Sequence, residues 1–210
     1  MKTLLQLNAS LFSGGGESSR LAATYVAQWR AANPGARVIA RDLASHPVPH
    51  LTAETFLAFL AKPEERSPAQ REAVALSDAL IAELEAADVI VLGLPMYNYG
   101  VPSTLKAYFD HVARAGRTFR YTDKGPQGQL AGKKAVVLAT RGGMHAGTPR
   151  DTETAYVREF LGFIGIRDVE FIFAEGLALG ENAKASSLAS AHRAIEAAAA
   201  ERDEEAAIAA

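Results

Sequence analysis

The 210-residue chain has no cysteine, which removes disulfides, cysteine-based metal centres and thiol nucleophiles from consideration and leaves any redox work to a bound organic cofactor. It also has little net charge. The 22 basic and 24 acidic residues sum to −2, so the chain carries no overall field that would mark it as a nucleic-acid or membrane-surface binder. The opening "MKTLLQLNAS" turns polar after a short apolar run, unlike a secretory leader or a membrane span, and a cytoplasmic location is expected. No clustered metal ligands are evident, and no metal is expected. A hydrophobic content of 49% is enough for one substantial core, and residues 1–210 read as one domain with an acidic, alanine-rich tail at about 200–210.

What is present is an alternation of short apolar runs and longer helical stripes. Strands are predicted at Thr3 to Leu7, Arg37 to Ala40, Val89 to Leu94, Ala135 to Ala139 and Val169 to Phe173. Several are continuous apolar runs, the pattern of strands buried on both faces. Leu21, Tyr25 and Trp29 recur every four residues, as do Leu76, Leu80 and Leu84, while Leu105, Tyr108, Phe109 and Val112 form an i, i+3, i+4, i+7 stripe. The expected architecture is α/β, a doubly wound five-stranded parallel sheet for which the flavodoxin-like order 2-1-3-4-5 is one suitable arrangement. The excursions from His46 to Ser67 and from Ala113 to Lys133 exceed ordinary connections and are candidate lids or partner contacts. From Glu181 onward a helix is expected.

Ligands of open α/β sheets collect at the carboxyl ends of the strands, so the loops there carry the functional reading. After the first strand comes "NASLFSGGGESSRLA". It has no lysine for a Walker loop and lacks the spacing of a dinucleotide fingerprint. Ser10, Ser13, Ser18, Ser19 and Gly14 to Gly16 lead instead into a helix start, a supply of donors that suits a phosphate monoester; the alternative is a plain surface loop with Ser18 or Ser19 as helix cap. After the third strand, "PMYNYGVPSTLKAYFDHV" offers a rigid loop between Pro95 and Pro102, with Asn98 and Gly100 as candidates for positive φ and Met96, Tyr97 and Tyr99 able to pack on a flat heterocycle or simply into the core. After the fourth, "TRGGMHAGTPRD" allows close backbone approach at Gly142 and Gly143, and places His145 as a candidate proton donor, or merely a solvated loop residue. Three such loops together match a flat, monophosphorylated cofactor, FMN.

The motifs "LNAS", "PMYNYGVPSTLKAYFDHVARAGRTFRYT", "GKKAVVLATRGG" and "FLGFIGIRDVEFIFAEG" resemble, from Met1 to about Ala178, the FMN-dependent NADH-azoreductases, flavodoxin-like NAD(P)H:quinone oxidoreductases. The resemblance implies FMN contacts at Ser10, at Gly16, Glu17 and Ser18, at Met96, Tyr97, Asn98 and Tyr99, and at Thr140, Arg141, Gly142 and Gly143. It implies an acceptor pocket that includes Tyr121 and Phe163, NADH rather than NADPH as donor, quinones or azo compounds as acceptors, hydride transfer in two successive steps, and a homodimer with its active sites at the subunit interface. One departure stands out. Gly16 and Glu17 occupy places where the family often has a hydroxyl and an amide; Glu17 is expected to face solvent or pair with Arg20, since a carboxylate turned to phosphate would be repelled. Two rivals remain at this stage: a non-catalytic flavin carrier, and a hydrolase using Ser10 and His145, for which no nucleophile-elbow motif is present.

Overall fold

Five parallel strands, β1 (Thr3–Asn8), β2 (Arg37–Asp42), β3 (Val89–Pro95), β6 (Lys134–Thr140) and β7 (Asp168–Ala174), form one sheet in the order β2-β1-β3-β6-β7 in a computed structural model of the chain. The structure describes residues 1–208, and side chains as far as Ala199. Strand β3, "VIVLGLP", lies in the middle and is buried throughout, while the edge strand β2 is half-exposed. That difference explains why β3 is a continuous apolar run whereas β2 carries charge at Arg37, Arg41 and Asp42.

Alternate residues of each strand feed two cores. Leu5, Leu7, Ile90, Leu92, Leu94, Ala135 and Val137 face one way and pack with α3 (Pro68–Ala86), α4 (Ser103–Val112) and α5 (Thr152–Ile164). Leu4, Val89, Val91, Val136, Leu138 and Ile172 face the other way and meet α1 (Glu17–Ala32) and α6 (Glu181–Ile208). The period-2 alternation of a strand thus builds a helical layer on each face. Helix α6 extends into the expected tail; the side chains of residues 200–208, and residues 209–210 altogether, lie outside the described residues.

The long excursions contain structure of their own. The first holds α2 (Ala53–Leu60), capped by the Thr52 hydroxyl, and the second a hairpin of β4 (Phe119–Thr122) and β5 (Gly125–Gly128). Setting the hairpin aside, the sheet has the anticipated 2-1-3-4-5 order. The hairpin escaped notice because "FRYTDKGPQG" places a proline and two glycines within its four-residue second strand, features that normally argue against one. Among the described residues, no helix is long and apolar enough to cross a membrane.

Candidate active site

The loops after β1, β3 and β6 leave the same end of the sheet and meet there. Ala9 donates its N–H to the Gly93 carbonyl (3.0 Å), and Met96 donates to the Thr140 carbonyl (3.0 Å), so the three strand ends are joined edge to edge. Between them lies an open cleft of about 270 Å³. Its walls include Ser10, Phe12 and Gly15 to Ser18 from the first loop, Pro95 to Tyr97 from the second, and Thr140 to Gly142 from the third. Most of the expected cofactor-contact residues are therefore neighbours, although Asn98, Tyr99 and Gly143 stand outside this wall.

Helix α1 aims its amino end at the cleft. Gly16 is its N-cap and has no side chain to accept a hydrogen bond, so the first-turn N–H groups of the helix lack a capping partner from that residue. The hydroxyl of Ser18 is buried in the cleft wall and has no hydrogen-bond partner. An orphaned hydroxyl beside a helix amino terminus is what a phosphate would satisfy, and this end of the cleft fits the phosphate of FMN. Two glycines set the geometry. A Cβ at Gly93 would stand 3.0 Å from the Ser18 carbonyl oxygen, so the bare strand lets α1 approach β3, and a Cβ at Gly16 would lie 2.1 Å from Ser10 Oγ. Glycine at position 16 therefore leaves the space that the Ser10 side chain fills.

Glu17 takes the position expected of it and gains a second partner. It pairs with Arg20 (3.5 Å) and, more closely, with Lys184 of α6 (3.0 Å); the bond from Lys184 holds its carboxyl below the ordinary range. Lys184 lies more than 160 residues away along the chain, and no local pattern in the sequence marked it.

The Tyr97–Gly100 segment is a two-residue turn in which Tyr97 and Gly100 exchange N–H···O bonds of 3.0 Å each. Positive φ falls on Asn98 (51°), as the sequence suggested, and on Tyr99 (63°) in place of Gly100. The correction has a simple origin: a hairpin turn of this kind needs both central residues left-handed, and they are 98 and 99. A left-handed tyrosine is strained by roughly 1–3 kcal/mol. The Tyr99 carbonyl accepts from Thr152 Oγ1, and its ring meets that of His145 edge-on at 5.6 Å between centroids.

The loop after β6 is held from behind. Its backbone pairs with the segment after β7: Leu177 donates to the Arg141 carbonyl, Ala178 to Gly142 and Gly176 to Gly143. Arg141 itself does not reach into the cleft. Its guanidinium is wholly buried and donates to Asp151 (2.8 Å), Thr154 (2.8 Å) and Glu175 (3.2 Å). Glu175 also accepts from the N–H groups of His145 and Ala146, both at 2.8 Å. The N–H groups of Gly142 and Gly143 find no acceptor among the described residues. His145 folds over Gly143, where a Cβ would stand 2.8 Å from Nε2, and its Nδ1 is buried without a partner. A side chain at 143 would oblige the imidazole to swing off the loop.

Tyr121 and Phe163 are not in the cleft wall. Tyr121 projects into solvent from β4, 76% exposed, while Phe163 packs under Phe119 with centroids 4.4 Å apart. Arg117 is occupied by Asp78 and Glu85, and Arg120 by Gln127. The sequence reading overlooked Gly93 and the loop after β7; applying the strand-end rule to the last strand as well would have flagged "AEGLALG".

Comparison with known proteins agrees with this geometry. The Flavodoxin_2 family, described as having a flavodoxin-like fold, matches residues 1–199. The chain is 53% identical over 198 residues to FMN-dependent NADH:quinone oxidoreductase 6 of Burkholderia lata, covering 94% of this chain and all of that one, and 50% identical over 196 residues to the FMN-dependent NADH:quinone oxidoreductase of Cellvibrio japonicus, covering 93% and 98%. The crystal structure of an azoreductase from Bacillus anthracis str. Sterne superposes with a TM-score of 0.87 at 25% identity, covering 95% of this chain and 99% of that one. On fold, strand-end loops and identity over nearly its whole length, the chain belongs to the flavodoxin-like family of FMN-dependent NADH:quinone oxidoreductases.

Proposed function

We propose that residues 1–210 form one FMN-binding domain of a cytoplasmic homodimer that oxidises NADH and reduces quinones, or cleaves azo compounds to amines. The buried, unpartnered Ser18 hydroxyl at the amino end of α1, facing the cleft that three strand-end loops build, carries this reading. When bound, FMN supplies the hydride and two-electron chemistry that no side chain of the protein can perform.

The protein's part is to bind, orient and stabilise. Ser10, Gly16, Glu17 and Ser18 hold the phosphate end, chiefly through backbone N–H groups and the dipole of α1, with Glu17 turned aside by Lys184. Met96 to Tyr99 present backbone and aromatic edges to the ring. Thr140 to Gly143 would lie along its polar edge, where the free N–H groups of Gly142 and Gly143 would stabilise negative charge on the ring. His145, packed on Gly143, is the candidate proton donor beside the same edge.

At about 270 Å³ the cleft falls short of the roughly 300–1,000 Å³ of an enclosing ligand pocket, and one side is open. Exposed Leu11, Phe12, Tyr99 and Met144 stand on the loops that build it, and Phe56, Leu57 and Leu60 are exposed on α2. Apolar surface of this kind supports a second copy as the missing wall, with Tyr121 reaching the acceptor site of its partner and Phe163 supporting the hairpin that carries it.

The hydrolase reading loses its geometric basis because Ser10 Oγ accepts from the Phe12 N–H and contacts Tyr97 Oη, not a histidine. The test is FMN titration of the apoprotein followed by assay of NADH oxidation with a benzoquinone. Tight binding and FMN-dependent turnover are expected; binding without turnover would leave only a carrier, and absence of binding would remove the proposal.

A further inference from the structure

Behind the Gly142–Gly143 backbone lies a buried cluster of one guanidinium and three carboxyl groups that the proposed chemistry does not use directly. The Arg141 side chain is fully buried, as is that of Glu153, and those of Asp151 and Glu175 are 8% and 9% exposed. Asp151 and Glu175 receive hydrogen bonds from Arg141, from the Thr154 N–H and from the His145 and Ala146 N–H groups. Glu153 receives none. Its nearer oxygen lies 3.5 Å from Arg141 Nε, and neither carboxyl oxygen, nor Nε itself, has a hydrogen-bond partner.

An ionised carboxylate in that position would be desolvated without hydrogen bonds, and it would raise the net charge of the cluster from −1 to −2, one cation against three anions. Burial accordingly pushes the Glu153 carboxyl up to about 8, with the Arg141 charge opposing that shift and Asp151 adding to it. The other titratable groups near it are few. Glu175 stands across Arg141, and the cavity that Glu153 helps to line on its far side contains His50, Tyr99, Lys106 and Tyr156. Lys106 is already engaged by Asp110.

We propose that Glu153 is a positioning residue for the cofactor loop: as a neutral carboxyl it leaves Arg141 to clamp Asp151, Thr154 and Glu175, and as a carboxylate it loosens that clamp and the backbone of Gly142 and Gly143. The coupling is direct, because Arg141 is the residue preceding Gly142 and its carbonyl, like those of Gly142 and Gly143, is paired with the segment following Glu175. Added negative charge behind the loop also opposes a cofactor whose ring edge becomes anionic on reduction. The inference rests on the proposed FMN site.

Titration of apoprotein with FMN, read by quenching of flavin fluorescence from about pH 6.5 to about pH 9.5, tests it. For the native sequence, affinity should fall about tenfold across that range with its midpoint near the Glu153 value. Glu153→Gln, which keeps the neutral shape, should bind FMN as the native protein does at the acid end and show no alkaline decline. A parallel decline in Glu153→Gln, or a pH-independent affinity in the native protein, would overturn the inference while leaving the cofactor assignment intact; failure to bind FMN at any pH would overturn both. Should the variant not fold, infrared spectroscopy of the native holoprotein decides: a protonated-carboxyl band must vanish together with the affinity, and its absence at the acid end refutes the role given to Glu153.

Discussion

The hydroxyl of Tyr97 lies 3.4 Å from Ser10 Oγ and accepts the N–H of Leu11 at 3.3 Å, so one phenol ties the loop after β1 to the loop after β3. The two halves of the cleft, phosphate side and ring side, are thereby held in register. Replacing Tyr97 with Phe removes two net hydrogen bonds of modest worth, on the order of 1 kcal/mol each, without opening a cavity. The expected result is an FMN dissociation constant raised about three- to tenfold together with a melting temperature lowered by roughly 4–8 °C, measured by fluorescence titration and thermal denaturation. Unchanged affinity would mean that the tie contributes nothing to the site.

Lys184 acts on the site from α6. With the Glu17 carboxylate held 3.0 Å from its ammonium, the charge nearest the phosphate position is neutralised. Lys184→Ala should weaken FMN binding by a few-fold, more so at low ionic strength, and adding Glu17→Gln should restore it. If the double variant binds no better than Lys184→Ala alone, repulsion by Glu17 is not the cause.

The hairpin that carries Tyr121 is seated by a glycine contact. A Cβ at Gly128 would lie 2.1 Å from the Gly165 backbone nitrogen, and Gly165 ends α5 in a left-handed conformation at φ 107°. Because the obstacle is backbone, it cannot swing aside. Gly128→Ala should destabilise the fold by about 1–3 kcal/mol and raise the KM for the acceptor more than that for NADH. Equal stability in urea denaturation would show that the hairpin can shift at no cost.

Arg141 is expected to be the most sensitive residue near the site. Arg141→Met leaves Asp151 and Glu175 buried without their cation, a loss of about 3–5 kcal/mol, and Arg141→Lys recovers little of it because a single ammonium cannot span the three groups that the guanidinium reaches. The same cluster sets a pH dependence of stability. Glu153, raised from its ordinary 4.5 to about 8, binds a proton on folding, so its contribution is full below about pH 4.5 and is lost as pH climbs towards 8. For Asp151 the sign reverses: hydrogen bonds and charge from Arg141, with those from Thr154, outweigh its desolvation and hold it below its ordinary 3.8, so its contribution disappears in acid. Urea midpoints should therefore decline between about pH 5 and pH 8 in the native protein, and Glu153→Gln should flatten that decline. A decline that survives the substitution would place the titrating group elsewhere.

The sheet and most of its helices could be read from the sequence because burial on both faces forces continuous apolar runs, as in "VIVLGLP", and helices that cover the sheet must repeat Leu21, Tyr25 and Trp29 on one side. The cleft was legible for a related reason: loops leaving the carboxyl ends of parallel strands gather at one end of the sheet, so the glycine- and hydroxyl-rich segments after β1, β3 and β6 meet there. What escaped were contacts between distant segments. Nothing near Arg141 in the chain says that its side chain turns away from the cleft towards Glu175, 34 positions on, and nothing near Glu17 points to Lys184. The positive φ at Tyr99 was missed because glycine at position 100 looked the natural bearer of it, whereas the pairing of Tyr97 with Gly100 fixes where the turn lies.

The central claim is that this cleft holds FMN and that NADH reduces it there. Anaerobic mixing of the FMN-reconstituted protein with NADH, followed by addition of a benzoquinone, tests it most directly. The account requires the flavin absorbance to bleach with one NADH consumed per FMN and to return in full when the quinone is added; bound FMN that NADH leaves oxidised would contradict it.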